Sequence, residues 1–300
     1  MKKILVLMST YNGEAYLEEQ LKTIFNQTGV KISVLVRDDG SKDKTLEILE
    51  NWSKSKELNY YQGKNLKPAK SFMDLIMKAP LNYDYYAFSD QDDAWDTDKM
   101  KAAISFFDFR DEKPSLYISG TRIVDKDLNV LSNSKIYKNI TFENEIIKNE
   151  ATGCTEVLNT SLLRKLKKYN PRYIKMHDSW VCRVCLAIGG NVYIDDVPHI
   201  SYRQHANNVV GYRNSNFLKL KEQFVTAFKK NERIRQLIAI ELLKGYKDEI
   251  TEKNLKILNE LVNYPENFND KIKLLSSSKF KTPYKSINLK MYLAILLNKF

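Results

Sequence analysis

The chain has 300 residues, 43% of them hydrophobic, enough for one large domain or two of ordinary size, and this composition excludes a fibrous or disordered protein. Its net charge of +11 is unevenly placed: residues 211–300 hold 18 Lys+Arg against 9 Asp+Glu, and residues 271–300 hold seven lysines and no acid. That asymmetry argues against a generally basic protein and points to a basic C-terminal module facing an acidic partner.

The N-terminal Met1-Lys2-Lys3 and the apolar run Ile4–Met8 superficially resemble a signal peptide. The run is short and ends in Ser9-Thr10-Tyr11-Asn12 without a small-residue cleavage site, so a first β-strand is the expectation. Residues 14–26 place Leu17, Leu21, Ile24 and Phe25 at helical spacing. Ile32–Val36 is a second strand-like run, followed by Arg37-Asp38-Asp39-Gly40-Ser41. Helices are expected over 43–53 and 70–79, before a strand at Tyr85–Phe88. Strands and helices alternating in this way predict an α/β fold with a mixed, mostly parallel sheet and helices on both faces. Ligands of such sheets bind beyond the carboxyl ends of the strands, where segments 9–13, 37–41 and 89–93 all fall.

After residue 115 the pattern is more mixed. Leu116–Ser119 and Val192–Ile194 read as strands, and 160–168 and 178–188 as helices. Beyond Gly211 amphipathic patterns run over 217–245, 252–263 and 288–300, so the expected division is a catalytic domain over 1–211 and a basic helical extension over 212–300. Cys154, Cys182 and Cys185 cannot all pair, and the Cys-x-x-Cys of 182–185 lacks a second pair for zinc, so buried free thiols in a cytosolic protein are expected.

Residues 90–98 carry the chemistry: Asp90, Asp92, Asp93, Asp96 and Asp98 follow an aromatic strand. Asp90 and Asp92 are two apart, so an extended backbone projects them to one side. Hard Mg²⁺ or Mn²⁺ takes such oxygen ligands and leaves room for substrate phosphates, which suggests a metal-bound nucleotide diphosphate. Asp96 and Asp98 also suit the start of a helix. Asp38 and Asp39 follow a buried strand and can accept hydrogen bonds from a nucleobase or ribose; Asp-Gly-Ser is equally turn chemistry.

Taken in order, Ser9-Thr10-Tyr11-Asn12-Gly13, Arg37-Asp38-Asp39-Gly40-Ser41 and Ser89-Asp90-Gln91-Asp92-Asp93 resemble the family 2 glycosyltransferases, inverting enzymes of the GT-A fold. Thr152-Gly153-Cys154 and His177-Asp178-Ser179-Trp180 continue the resemblance. Tyr202-Arg203-Gln204-His205 with Asn207, Asn208 and Gly211 is similar to the ending of bacterial rhamnosyltransferases of surface polysaccharide synthesis. The resemblance implies that Thr10, Tyr11 and Asp39 line a nucleoside pocket, with Asn12, Asp38, Lys70 and Gln91 also on the donor side. It implies Asp90 near the ribose, Asp92 on the Mg²⁺ or Mn²⁺, and His205 facing the diphosphate or metal. Asp178 becomes the general base, and Thr152, Gly153 and Trp180 lie on the acceptor side. His177 stands where many members have Glu, and Leu66-Lys67-Pro68 where many have a glycine.

The implied partners are a nucleotide diphosphate sugar, dTDP-L-rhamnose by resemblance, and a glycan or lipid-linked acceptor. The basic tail suits either an anionic membrane surface, peripheral on the inner face of the cell membrane, or a second subunit in a homo-oligomer. A nucleotidyltransferase is the alternative enzyme, but it usually carries a Gly-rich phosphate loop that this chain lacks. A nucleic-acid-binding protein would line a groove with its cations, and here they gather in the tail, so no nucleic acid partner is expected.

Overall fold

The computed structural model describes residues 1–108, 112–205, 233–277, 280–282 and 284–300. A seven-stranded sheet is built from β1 (Lys2–Thr10), β2 (Val30–Asp38), β3 (Leu58–Gln62), β4 (Tyr85–Ser89), β6 (Ser115–Ser119), β9 (Val157–Asn159) and β10 (Asn191–Asp195), in the order β10-β6-β9-β4-β1-β2-β3. All pairings are parallel except those of β9, which runs antiparallel to β4 and β6. A smaller sheet joins β5 (Ala94–Trp95), β11 (Ile200–Arg203), β7 (Arg122–Val124) and β8 (Val130–Asn133). The mixed, mostly parallel α/β architecture is the one expected from the sequence.

β1 is a continuous apolar run because both of its faces are covered. Ile4, Val6 and Met8 join a core with α1 (Leu17–Phe25), α2 (Thr45–Ser53) and α4 (Lys99–Ser105). Leu5 and Leu7 point the other way, into the cluster with α3 (Lys67–Lys78), α5 (Phe142–Ile147), α6 (Thr160–Leu166) and α7 (His177–Ala187). Pro68 stands in the first turn of α3, where a missing N–H costs nothing. Cys154, Cys182 and Cys185 are buried free thiols, as expected.

Four C-terminal helices, α8 (Ile234–Tyr246), α9 (Glu252–Asn263), α10 (Phe268–Ser276) and α11 (Lys285–Leu296), extend the core on the α3/α7 side of the sheet. Tyr246 packs 6.2 Å from Trp180, and Asn254 Nδ2 donates to the carbonyls of Leu186 and Ala187 at the end of α7. These helices therefore share one apolar cluster with the sheet. The long helix expected over 217–245 is described only from Ile234, and the expected division at 211 lies outside the described residues. No helix among the described residues is long and apolar enough to cross a membrane.

Candidate active site

The ends of β1, β2 and β4 meet at one rim. Thr10 and Asp38 are register partners, and Thr10 Oγ1 donates to Asp38 Oδ2 at 3.0 Å. Asp38 is fully buried; its carboxylate also accepts from the backbone N–H groups of Gly40 and Ser41 and from Ser41 Oγ. It is spent on closing its own turn rather than open to a ligand. Asp39 accepts from Ser71 Oγ and from the backbone of Leu66, and forms a buried ion pair with Arg37. Arg37 reaches on to Asp74 at 3.0 Å and to the carbonyl of Lys64 at 3.0 Å. Lys70 is exposed on α3, next to the Ser71 that holds Asp39.

Tyr11 is exposed above this rim, and Gln91 clamps it. The backbone N–H of Tyr11 donates to Gln91 Oε1 at 2.8 Å, and Gln91 Nε2 donates back to its carbonyl at 3.1 Å. A Cβ on Gly13 would lie 2.5 Å from Gln91 Oε1, so any other residue there would displace the Gln91 amide from Tyr11. Asn12 holds the turn from the other side, with its N–H on Ser41 Oγ and its Oδ1 accepting from Lys42.

The acidic loop after β4 is fixed by Arg203 of β11. Its Nε donates to the carbonyl of Asp92 at 2.8 Å, its N–H to Asp93 Oδ1 at 3.2 Å, and its guanidinium lies 4.6 Å over the Tyr16 ring and pairs with Glu19. His205 is stacked on the same Tyr16 and places Nε2 2.8 Å from Asp92 Oδ2. Burial and the neighbouring Asp92, with a smaller share from Asp178, push the Asp90 carboxyl up to about 7. Carboxylates crowded in this way are relieved by a cation. Buried Asp93 keeps an oxygen without a hydrogen-bond partner, and it lies within 4.8 Å of ligand atoms of Asp90 and Cys154. Burial raises the Cys154 thiol well above its ordinary value, so it stays protonated and suits a hard cation poorly. Asp90 and Asp93 thus offer hard oxygen ligands of the kind a divalent cation takes, with the Asp92–His205 pair on the same acidic loop.

Asp178 opens α7, 9% exposed, beside the 3-10 turn Gly153–Thr155. Burial raises its carboxyl above the ordinary value, against hydrogen bonds from the backbone of Ser179 and Gly153 and from Asn149 and the charge of Arg183. The turn links the two halves of the site: Cys154 touches Asp93, and Gly153 touches Asp178. Behind Asp178 lie two further buried acids absent from the sequence reading. Burial pushes Glu145 up to about 8, and burial followed by the charge of Asp178 raises Glu156 well above the usual range.

The structure thus brings Thr10, Tyr11, Asn12, Asp39, Asp90, Gln91, Asp92, His205, Gly153 and Asp178 to one region, with Thr152 half-buried at its edge. Trp180 does not belong there. It is 2% exposed, among Tyr169 and Tyr246, because two residues past Asp178, about 200° around the helix, α7 presents its opposite face to the core. His177 is likewise core, stacked 3.8 Å from Phe72. Asn207, Asn208 and Gly211 lie outside the described residues. Arg37 and Arg203 have no role in the sequence reading; an arginine directly before Asp38 and Asp39 was the available signal for Arg37, and no sequence neighbour marks Arg203.

The model of "Glycosyl transferase family 2" matches residues 5–168. A dTDP-rhamnosyl transferase, RfbG of Shigella flexneri, is 36% identical over 226 residues, covering 68% of this chain and 73% of that protein. An uncharacterized glycosyltransferase of Haemophilus influenzae is 26% identical over 282 residues, 85% of this chain and 84% of its own length. Among solved structures, residues 1–349 of S. aureus TarS in complex with UDP-GlcNAc superpose with a TM-score of 0.59 at 18% identity, covering 93% of this chain and 78% of that one, which shows a shared GT-A fold. With more than half its length matched by the family model and a 36% identical relative spanning most of both proteins, this chain belongs to glycosyl transferase family 2.

Proposed function

We propose that the protein is an inverting rhamnosyltransferase, moving L-rhamnose from dTDP-L-rhamnose to a hydroxyl of a glycan or lipid-linked glycan. The sugar rests on the 36% identity to the dTDP-rhamnosyl transferase of Shigella flexneri. The mechanism rests on one observation: Cys154 has its sulfur within 4.8 Å of Asp90 and Asp93 oxygens, and a Cβ on the preceding Gly153 would lie 3.6 Å from the Asp178 Cβ, so a base candidate adjoins the acidic loop.

Asp39 and Tyr11 hold the nucleoside, with Gln91 fixing the Tyr11 backbone. Asp92, with Asp90 and His205, would hold a divalent cation, which offsets the charge developing on the departing diphosphate. Lys70 supplies a further cation on the phosphate side. Asp178 accepts the proton of the acceptor hydroxyl as its oxygen attacks the anomeric carbon in line with the leaving group. Its raised carboxyl makes it a stronger base once ionised, nearer the operating pH, and such assistance contributes about 10²–10⁴-fold. No protein nucleophile is needed. The C-terminal helices from Ile234 onward pack on the catalytic core and are assigned no step in donor chemistry.

The test is a donor panel. dTDP-L-rhamnose, UDP-sugars and GDP-sugars are incubated with the full chain and Mn²⁺ or Mg²⁺, with and without EDTA, and nucleotide release is followed. Preferential release of dTDP that EDTA abolishes is the expected result. Preference for a UDP- or GDP-sugar would overturn the donor, and EDTA-insensitive turnover would overturn the cation.

A further inference from the structure

α11 is apolar on two opposite sides. Met291 and Ile295, one turn apart, are buried in the core shared with the sheet. The other side leaves Leu289 61%, Leu293 38%, Leu296 55% and Leu297 51% exposed. At 3.6 residues per turn these four leucines fall within an arc of about 100°, with Lys285 and Lys290 at its two edges. α10 adds Phe268 and Ile272, exposed and one turn apart. Lys271 Nζ lies 3.4 Å from the carbonyl of Leu296, so the two exposed faces adjoin. Helices apolar all round are normally covered, and a cluster of open leucines of this kind marks an interaction surface.

We propose that this face docks on an anionic lipid bilayer. Charge decides the occupant. Residues 271–300 hold seven lysines and no acid. A second copy meeting the face across a two-fold axis would set the same lysines against their own images, which repel. Anionic headgroups meet Lys271, Lys281 and Lys285 while the leucines enter the acyl boundary, the arrangement of an interfacial helix. Of the neighbouring lysines, Lys273 is engaged with Asp270 at 2.9 Å and is left out of this rim. Docking would bring the catalytic domain to a membrane-held acceptor, but it rests on this face alone and not on the choice of donor.

The full chain is sedimented with phosphatidylcholine vesicles containing either no anionic lipid or about 30% phosphatidylglycerol, at low and high salt, since exposed charges are screened beyond about 8 Å at physiological ionic strength. Two variants accompany it, L289S/L293S/L296S and K281E/K285E. All five positions are exposed, so their melting temperatures should stay near that of the parent, and donor hydrolysis without lipid should be unchanged. The expected result is binding to the anionic vesicles only, weakened by salt, and reduced at least tenfold in each variant. Equal binding to neutral vesicles, or binding that neither variant reduces, would overturn the proposal. So would a dimer in light scattering that the leucine variant converts to monomer, which would make the face a self-interface.

Discussion

A Cβ on Gly153 would fall 2.5 Å from Nε2 of His177 and 3.6 Å from the Cβ of Asp178. The His177 ring is wedged between this turn, Phe72 and Phe88, and neither ring nitrogen has a hydrogen-bond partner. It therefore acts as a neutral aromatic that fixes the start of α7, and so the place of Asp178. Gly153→Ala should push the ring and the base apart from their present positions. Overpacking of this kind costs about 1–3 kcal/mol. A misplacement of about 1 Å can cost about 10²-fold in turnover. Steady-state kinetics should show the loss in kcat, and adding His177→Ala should recover part of it by making room. No recovery in the double variant would mean the clash lies elsewhere.

His177 itself should be replaceable by Phe. Burial pushes its pKa down to about 3 from 6.5, so between those values the unfolded chain binds a proton that the folded one refuses. His177 then costs stability as pH falls through that window, and nothing above it. His177→Phe should keep turnover within about threefold and should gain melting temperature relative to the parent at pH 5 but not at pH 8. Scanning calorimetry at the two pH values decides it. A difference independent of pH would show that the imidazole is not held neutral.

The buried acids predict the opposite slope. Glu145, up to about 8, and Glu156, well above the usual range, are protonated in the fold and ionised when unfolded at neutral pH. Their contribution is present below about pH 4.5, the ordinary glutamate value, and is lost as pH rises toward 8. Both carboxyl oxygens of Glu156 lack a hydrogen-bond partner. Glu156→Gln should therefore melt higher than the parent at pH 8, by about 2–4 °C for each kcal/mol relieved, with the gain shrinking toward pH 5. Thermal melts across that range check it, and a gain that does not change with pH would contradict it.

Arg37 should matter for both stability and donor binding. It is the buried counter-ion of Asp39 and also holds Asp74. Arg37→Ala leaves a buried carboxylate unpaired, which costs about 3–5 kcal/mol. Urea unfolding should show that loss. Arg37→Lys keeps the charge but not the fork, so it should retain the fold while weakening nucleotide binding in calorimetry. Full affinity in the Lys variant would separate Asp39 from the nucleoside pocket.

The strand–helix alternation was legible because β1, β2 and β4 are covered on both faces and read as unbroken apolar runs. The chemistry at their ends was legible because polar residues crowd where those runs stop. The short strands of the second sheet were not: β7, β8 and β11 carry half-exposed residues in runs of three or four, too brief for a period to show. Trp180 was misplaced since a helix turns its face within a few residues, and a motif read as a line does not. Glu145 and Glu156 were invisible for a related reason. Acids in a sequence look solvated, and only packing shows that these are enclosed.

Asp178 is the residue on which the proposed transfer depends most directly. Asp178→Asn preserves shape and most hydrogen bonds but cannot take a proton, so transfer from donor to acceptor hydroxyl should fall by about 10²-fold or more. Affinity for the donor nucleotide with Mn²⁺, measured by calorimetry on the same sample, should change by no more than about threefold, because the proposed role of the residue is on the acceptor hydroxyl and not on the nucleoside. Near-normal transfer by a folded Asp178→Asn enzyme would contradict the assignment of the base, and with it the proposed mechanism.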